Sequence, residues 1–143
     1  MIREGSRADA AAIAELLTQL GYPHDPDAAR ARLEAWEGGE RRLVMIAERG
    51  GAVAGFVAVA AVPYFERPGR WARIVALAVG RAHRRGGVGR ELVAAAEEAA
   101  AGWGCVTIEA TSSRRRREAH GFYRSLGYAD RCECSALYRR ELG

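Results

Sequence analysis

Arg84-Arg85-Gly86-Gly87-Val88-Gly89-Arg90 follows an apolar run that ends in Leu77-Ala78-Val79 and opens onto the alanine-rich segment Glu91 to Ala101. A strand, a turn of glycines flanked by arginines and then a helix make a phosphate cradle, because N–H groups at a helix start are unpaired and the helix dipole favours anions. Two general phosphate loops fail here. A Walker loop needs Gly-Lys-Ser/Thr, and the chain has no lysine. The dinucleotide fingerprint needs a third glycine three residues after the second, but Gly89 is followed by Arg90, Glu91 and Leu92. Taken alone, the stretch also reads as an ordinary strand-to-helix turn in basic surroundings.

Outward from that turn, composition sets the frame. With 143 residues, 49% of them hydrophobic and 28% charged, the chain is expected to form one soluble domain over 1–143. The net charge of +4 is carried by arginine alone among the strong bases, which suits an anionic ligand and leaves no lysine as an internal acyl acceptor. Three cysteines, Cys105, Cys132 and Cys134, are an odd number without a secretory leader, so reduced thiols and a cytoplasmic protein are expected. Cys132 and Cys134 fall on one face of a strand, but a metal site wants about four ligands, so no metal is expected. The longest apolar run, Val53 to Val62, has the length of a strand rather than of a membrane span.

Upstream of the turn, Ser6-Arg7-Ala8-Asp9 has the form of a capping box, and Ile13, Leu16, Leu17 and Leu20 recur at helical spacing until Gly21. The first helix is therefore expected from about Arg7 to Leu20. Asp25-Pro26 starts a second, with Ala29, Leu33 and Trp36 on its apolar side and Gly38-Gly39 as its stop. Leu43–Glu48 and Val53–Val62 read as a hairpin, and Trp71–Val79 as the strand that feeds the glycine turn.

Downstream, the helix of about Val88 to Ala101 is followed by the strand Cys105–Ala110, by Arg114 to Arg117, and by a helix whose Ala119, Phe122, Tyr123 and Leu126 share a face. Tyr128–Glu133 and Ser135–Arg139 are expected as two closing strands. The order β-α-α-β-β-β-α-β-α-β-β implies an α/β class (α+β) protein, a mixed sheet covered by helices with the βαβ unit at the opening stretch.

A second block then gives the turn a context: Arg117-Glu118-Ala119-His120-Gly121-Phe122-Tyr123-Arg124-Ser125-Leu126-Gly127-Tyr128. Together the two blocks resemble the GCN5-related N-acetyltransferase (GNAT) superfamily. Arg84-Arg85-Gly86-Gly87-Val88-Gly89 satisfies its Gln/Arg-x-x-Gly-x-Gly/Ala motif, and Ala119 to Tyr128 is similar to its Ala-x-x-Phe-Tyr-x-x-x-Gly-Phe/Tyr helix. The element order from Met1 to Arg140 is also the family's, so the resemblance implies the GNAT acyl-CoA N-acyltransferase fold.

What the resemblance implies is acetyl-CoA as donor and direct transfer to a primary amine of a small molecule or peptide. Arg84, Arg85, Gly86, Gly87, Val88, Gly89 and Arg90 would hold the pyrophosphate, and the backbone of Leu77, Ala78 and Val79 would pair with the pantetheine where strands four and five splay. Arg116 stands where members often have a cofactor-contacting asparagine; it would bind a CoA oxygen or belong to a solvated run of arginines. Tyr123 matches the family tyrosine near the CoA sulfur. A phenol of pKa about 10 is protonated at pH 7 and can act as general acid toward a forming thiolate; its alternative is a core ring beside Phe122.

The strand Trp71–Val79 lacks the glutamate that many members keep, so the base is sought elsewhere: Glu109 acting through an ordered water, or Glu66, His120 or His24. The acceptor is expected between the loops carrying Tyr22, His24, Asp25, Tyr64 and Glu66 and the last two strands. Signs of charge are mixed there and do not identify the amine. A homodimer is a family-level expectation. The competing function is a non-catalytic acyl-CoA-binding or regulatory module of the same fold. Nucleic-acid binding is disfavoured, because Arg114 to Arg117 lacks interleaved aromatic residues.

Overall fold

The computed structural model describes residues 1–111, 117–131 and 137–143. The expected closing strands fall partly outside these residues; among the described ones, 128–131 and 137–139 form no strand. A strand needs a partner as well as a pattern, and Tyr128 instead gives its N–H to the carbonyl of Tyr123 at 3.0 Å. The chain divides into two compact units, Met1–Thr111 and Ser112–Gly143.

The first unit is a mixed sheet in the order β1 (Ile2–Glu4), β2 (Arg42–Arg49), β3 (Ala52–Pro63), β4 (Arg70–Val79) and β5 (Cys105–Ala110). Neighbours are antiparallel from β1 to β4, and β4 and β5 are parallel. The β2–β3 turn is Gly50-Gly51, both at positive φ, as a two-residue hairpin turn requires. The expected first helix is two pieces, a 3₁₀ turn at Arg7–Asp9 and α1 (Ala10–Leu20). Aspartate at the end of the capping box turns back to its own start, which tightens that turn. Then come α2 (Pro26–Trp36) and, between β4 and β5, α3 (Val88–Gly102).

Alternation along the strands explains the layers. Ile46, Phe56 and Ala78 pack with Ile13, Leu16, Ala29 and Leu33 of α1 and α2. The adjacent residue Gly55 faces the other way, where a Cβ would lie 3.1 Å from Leu92 of α3 and 2.7 Å from the Ala78 carbonyl. Glycine there lets α3 close onto the sheet with Leu92, Val93, Ala96 and Ala100 buried. That approach fixes the start of α3 at the end of β4.

In the second unit, α4 (Arg117–Ser125) ends in a Schellman motif. Gly127 is left-handed at φ 90, its N–H bonds Arg124 O at 3.0 Å, and the Tyr128 N–H bonds Tyr123 O.

Candidate functional site

β4 leads into the glycine turn through Gly80, whose N–H bonds Ala54 O at 2.8 Å, and a 3₁₀ turn at Arg81–His83. Gln19 of α1 accepts the Arg81 N–H at 3.1 Å, so a core helix braces the turn. Arg85 and Gly87 both take positive φ, 65° and 82°, before α3 begins at Val88. Glycine adopts this conformation freely, whereas Arg85 holds it against its Cβ.

Residues 84–87 are exposed while Val88 is buried, so the turn is anchored at one end and open at the other. The helix has no side-chain cap, and its first internal bond is Glu91 N–H to Gly87 O at 3.0 Å. The N–H groups of Val88, Gly89 and Arg90 therefore have no acceptor within the helix. Glu91, the acid of this first turn, is ion-paired with Arg49 of β2, which holds its carboxyl below the usual range. Arg84 bonds back to Val79 O at 3.5 Å.

β4 itself is unevenly paired. Its pairing with β3 runs to Val79, but its pairing with β5 stops at Ile74 opposite Ala110. The change falls at a bulge, where Val75 is the extra residue between Ala76 and Ile74 in the register with β3. Among the described residues no strand pairs with the β5-side edge of 75–79. Among the described residues, Leu77, Ala78 and Val79 thus lie on an edge without a partner strand that ends at the arginine turn, a place where an extended ligand can add as a strand.

A polar cluster stands below the bulge, on the sheet face that α1 and α2 cover further up. Arg73 Nη2 donates to Glu109 Oε1 at 2.6 Å, and its guanidinium lies 5.1 Å from the Trp71 ring. Tyr64 Oη and Thr107 Oγ1 are 2.9 Å apart, and Arg67 stacks over Tyr64 at 4.0 Å. Arg73 Nε is buried with no hydrogen-bond partner among the described residues, a cost of about 1–3 kcal/mol. Glu66 is exposed on the same hairpin loop. Arg73 and Trp71 were not among the residues expected to serve a site; the signal available was a charge inside the otherwise apolar run Trp71–Val79.

The loop between α1 and α2 is occupied with its own structure. Asp25 Oδ1 accepts the Ala28 N–H at 2.7 Å as the cap of α2. His24 Nδ1 lies 2.8 Å from Tyr22 O, and Thr18 Oγ1 holds the His24 N–H at 3.2 Å. Among the described residues, no hydrogen bond or ion pair joins Tyr22, His24 or Asp25 to the Tyr64 and Glu109 cluster.

In the second unit the Tyr123 ring packs between Phe122 at 5.3 Å and Tyr128 at 5.5 Å, the latter being the apolar contact that accompanies a Schellman end. Arg116, Cys132 and Cys134 lie outside the described residues. Among the described residues no group of three or more His, Cys, Asp or Glu side chains could hold a metal ion, and no helix is long and apolar enough to cross a membrane.

The fold is a mixed sheet whose fourth strand parts from its parallel neighbour beside an uncapped, arginine-flanked helix start. The model of the acetyltransferase (GNAT) family matches residues 10–128, and the chain belongs to that family. Its fold is similar to that of a transcriptional regulator from Bacillus halodurans C-125, at 23% identity over 99% of both chains with a TM-score of 0.86. It is also similar to the aminoglycoside acetyltransferase AAC(6′)-Iy, solved with the bisubstrate analogue CoA-S-monomethyl-acetylneamine, at 21% identity over 99% of this chain and 98% of that one, TM-score 0.83. A ribosomal-protein-alanine N-acetyltransferase from Brucella melitensis aligns at 19% identity over 99% of both chains, TM-score 0.80. No curated protein sequence matches the chain.

Proposed function

We propose that residues 1–143 form a single catalytic domain that transfers the acetyl group of acetyl-CoA directly to a primary amine of a small molecule or peptide. The observation that carries this reading is the open, cationic start of α3 beside the edge of β4 that has no partner strand among the described residues. Family membership and the CoA-analogue complex of AAC(6′)-Iy support it. The donor fits: unpaired N–H groups and positive-φ residues at the turn suit a pyrophosphate, and an unpaired strand edge suits the amides of a pantetheine.

In this reading acetyl-CoA, when bound, supplies an acetyl group activated as a thioester. The N–H groups of Val88, Gly89 and Arg90 bind its phosphates, Gly86 and Gly87 keep the turn free of side chains, and Arg84, Arg85, Arg90 and Arg116 add charge. Leu77, Ala78 and Val79 orient the arm through their backbone. Tyr123 donates its phenolic proton to the departing sulfur, and Glu109 receives the amine's surplus proton through a water, so the proton count balances. Tyr22, His24, Asp25, Tyr64 and Glu66 border the acceptor.

Thiol release from acetyl-CoA over a panel of amines tests the activity. Tyr123→Phe is expected to lower kcat about 100-fold or more, with the Kd for CoA within about threefold of wild type. An unchanged kcat removes Tyr123 from the proton path. One observation favours the second reading, a CoA-binding module without transfer: the Glu109 carboxylate is already paired with Arg73. Tight CoA binding with no product from any amine decides for that reading, to which the likeness in fold to a Bacillus halodurans transcriptional regulator lends support.

A further inference from the structure

The cluster below the β4 bulge has a chemistry of its own. Strand register sets Ala60, Arg73 and Glu109 side by side across β3, β4 and β5, and Val62, Trp71 and Thr107 in a parallel row. Cross-strand partners point to one face, so these side chains share a surface. The contacts then run without a break: Arg67 over Tyr64, Tyr64 to Thr107, Thr107 opposite Trp71, Trp71 beside Arg73, and Arg73 to Glu109.

Two arginines are thus held against two aromatic rings, with one carboxylate between sheet and solvent. Stacking fixes a guanidinium without using up its N–H groups. Glu109 engages Arg73 through a single hydrogen bond rather than a two-pronged fork, and Arg73 remains 41% exposed. Nε is buried, so the edge left to a planar anion is the Nη1–Nη2 end, which can grip it at two points. A polycation would meet two positive charges and a glutamate already matched.

We propose that this cluster selects the acceptor, and that the acceptor is an amine bearing a carboxylate, its anion bound by Arg73 and its amine directed to Glu109. The proposal rests on the reading of the chain as an amine acetyltransferase and narrows its substrate class. Binding of the carboxylate would loosen the Arg73–Glu109 contact and free Glu109 for the amine, so the same event positions the acceptor and exposes its proton acceptor.

The test compares each of several amino acids with its carboxamide and its decarboxylated amine, with short peptides as a separate arm and an aminoglycoside as the polycation. Wild type is expected to favour the carboxylate in kcat/KM by about 10-fold or more. Arg73→Met, which keeps the stem, is expected to bring the ratio near one, and Arg73→Lys to restore part of it. Free amino acids and peptides with a free carboxylate, ranked against each other, tell which source the site takes. A wild-type enzyme that prefers the carboxamide or the aminoglycoside, or an Arg73→Met variant that keeps the preference, overturns the proposal.

A binding measurement separates this from failure of the wider reading. In the presence of CoA, N-acetyl amino acids are expected to bind wild type about 10-fold tighter than their carboxamides, and Arg73→Met to lose the difference. Discrimination in binding without turnover would sink acetyl transfer and leave Arg73 as the anion-binding residue. Turnover without discrimination would do the reverse.

Discussion

Two helical starts in the first unit face opposite demands. At Ser6 the chain closes itself: Ser6 Oγ accepts the Ala8 N–H at 3.3 Å, and Asp9 reaches back to the Ser6 N–H at 2.9 Å. At Gly87 there is no capping side chain, the residue three positions on is Arg90 rather than an acid, and the next acid, Glu91, is drawn aside by Arg49. The first start is neutralised from within, by a carboxylate that is itself buried. The second keeps its N–H groups and its positive field for something else, and the difference lies in a few side chains rather than in the helix.

Reversing the charge at the open start should have the largest effect. Arg90→Glu places an acid where Asp9 stands in the closed start, so the helix end gains about 0.3–1 kcal/mol while the proposed phosphate site loses a cation and acquires an anion. Calorimetric titration is expected to show CoA affinity lowered about 100-fold, with Tm unchanged or raised. A fall in both quantities together would mean that Arg90 holds the fold and that the two starts are not alternatives.

Opening the closed start is the next step down. Asp9 is buried at 6% exposure and receives two hydrogen bonds from Arg3, at 2.7 and 3.0 Å, while Arg3 also pairs with Glu48. Asp9→Ala removes the cap and the salt bridge, at about 2–3 kcal/mol, or a Tm lower by roughly 5–10 °C. CoA affinity of the folded protein should not move. Arg3 foremost, with help from the Ser6 N–H, holds the Asp9 carboxyl below its usual value against the opposing effect of burial. A depressed folded-state pKa gives stability that is fully present above the unfolded value of about 3.9 and is lost as pH falls through the folded one. The gap between the denaturant midpoints of wild type and Asp9→Asn should therefore shrink as pH falls below about 4; a gap that keeps its full size on acidification would show that the cap acts by shape rather than charge.

What the sequence reveals of these regions follows the range of the interactions. Both helical starts were legible, because Ser6 to Asp9 and Arg84 to Arg90 are local signals. So were the Gly21 and Gly127 ends and the strands from Leu43 to Ala110. The bulge at Val75 was not, since it is one residue of slip between two distant strands, and with it went the boundary between the paired and unpaired parts of β4. Arg73 and Glu109 escaped notice as a pair for the same reason: they meet only once the parallel register of β4 and β5 is set. Asp25 was read both as a helix cap and as a border of the acceptor site, and its hydrogen bond to Ala28 fulfils the first.

The smallest expected effect on stability lies at Arg85, and it sharpens the comparison most finely. Its φ of 65° costs a residue with a Cβ about 1 kcal/mol, which glycine would not incur, but glycine also gains freedom in the unfolded chain of about 0.5–1 kcal/mol. Arg85→Gly should therefore leave the urea midpoint almost unchanged, while a β-branched replacement, Arg85→Val, should lower it, because that conformation is hardest for such side chains. Both remove the same positive charge, so both should weaken CoA to the same extent, several-fold. If affinity instead follows the midpoint and differs between the two variants, the turn acts through its shape alone. If affinity falls equally while stability differs, a strained arginine is retained at the open start for its charge, the opposite of what Asp9 does at the closed one.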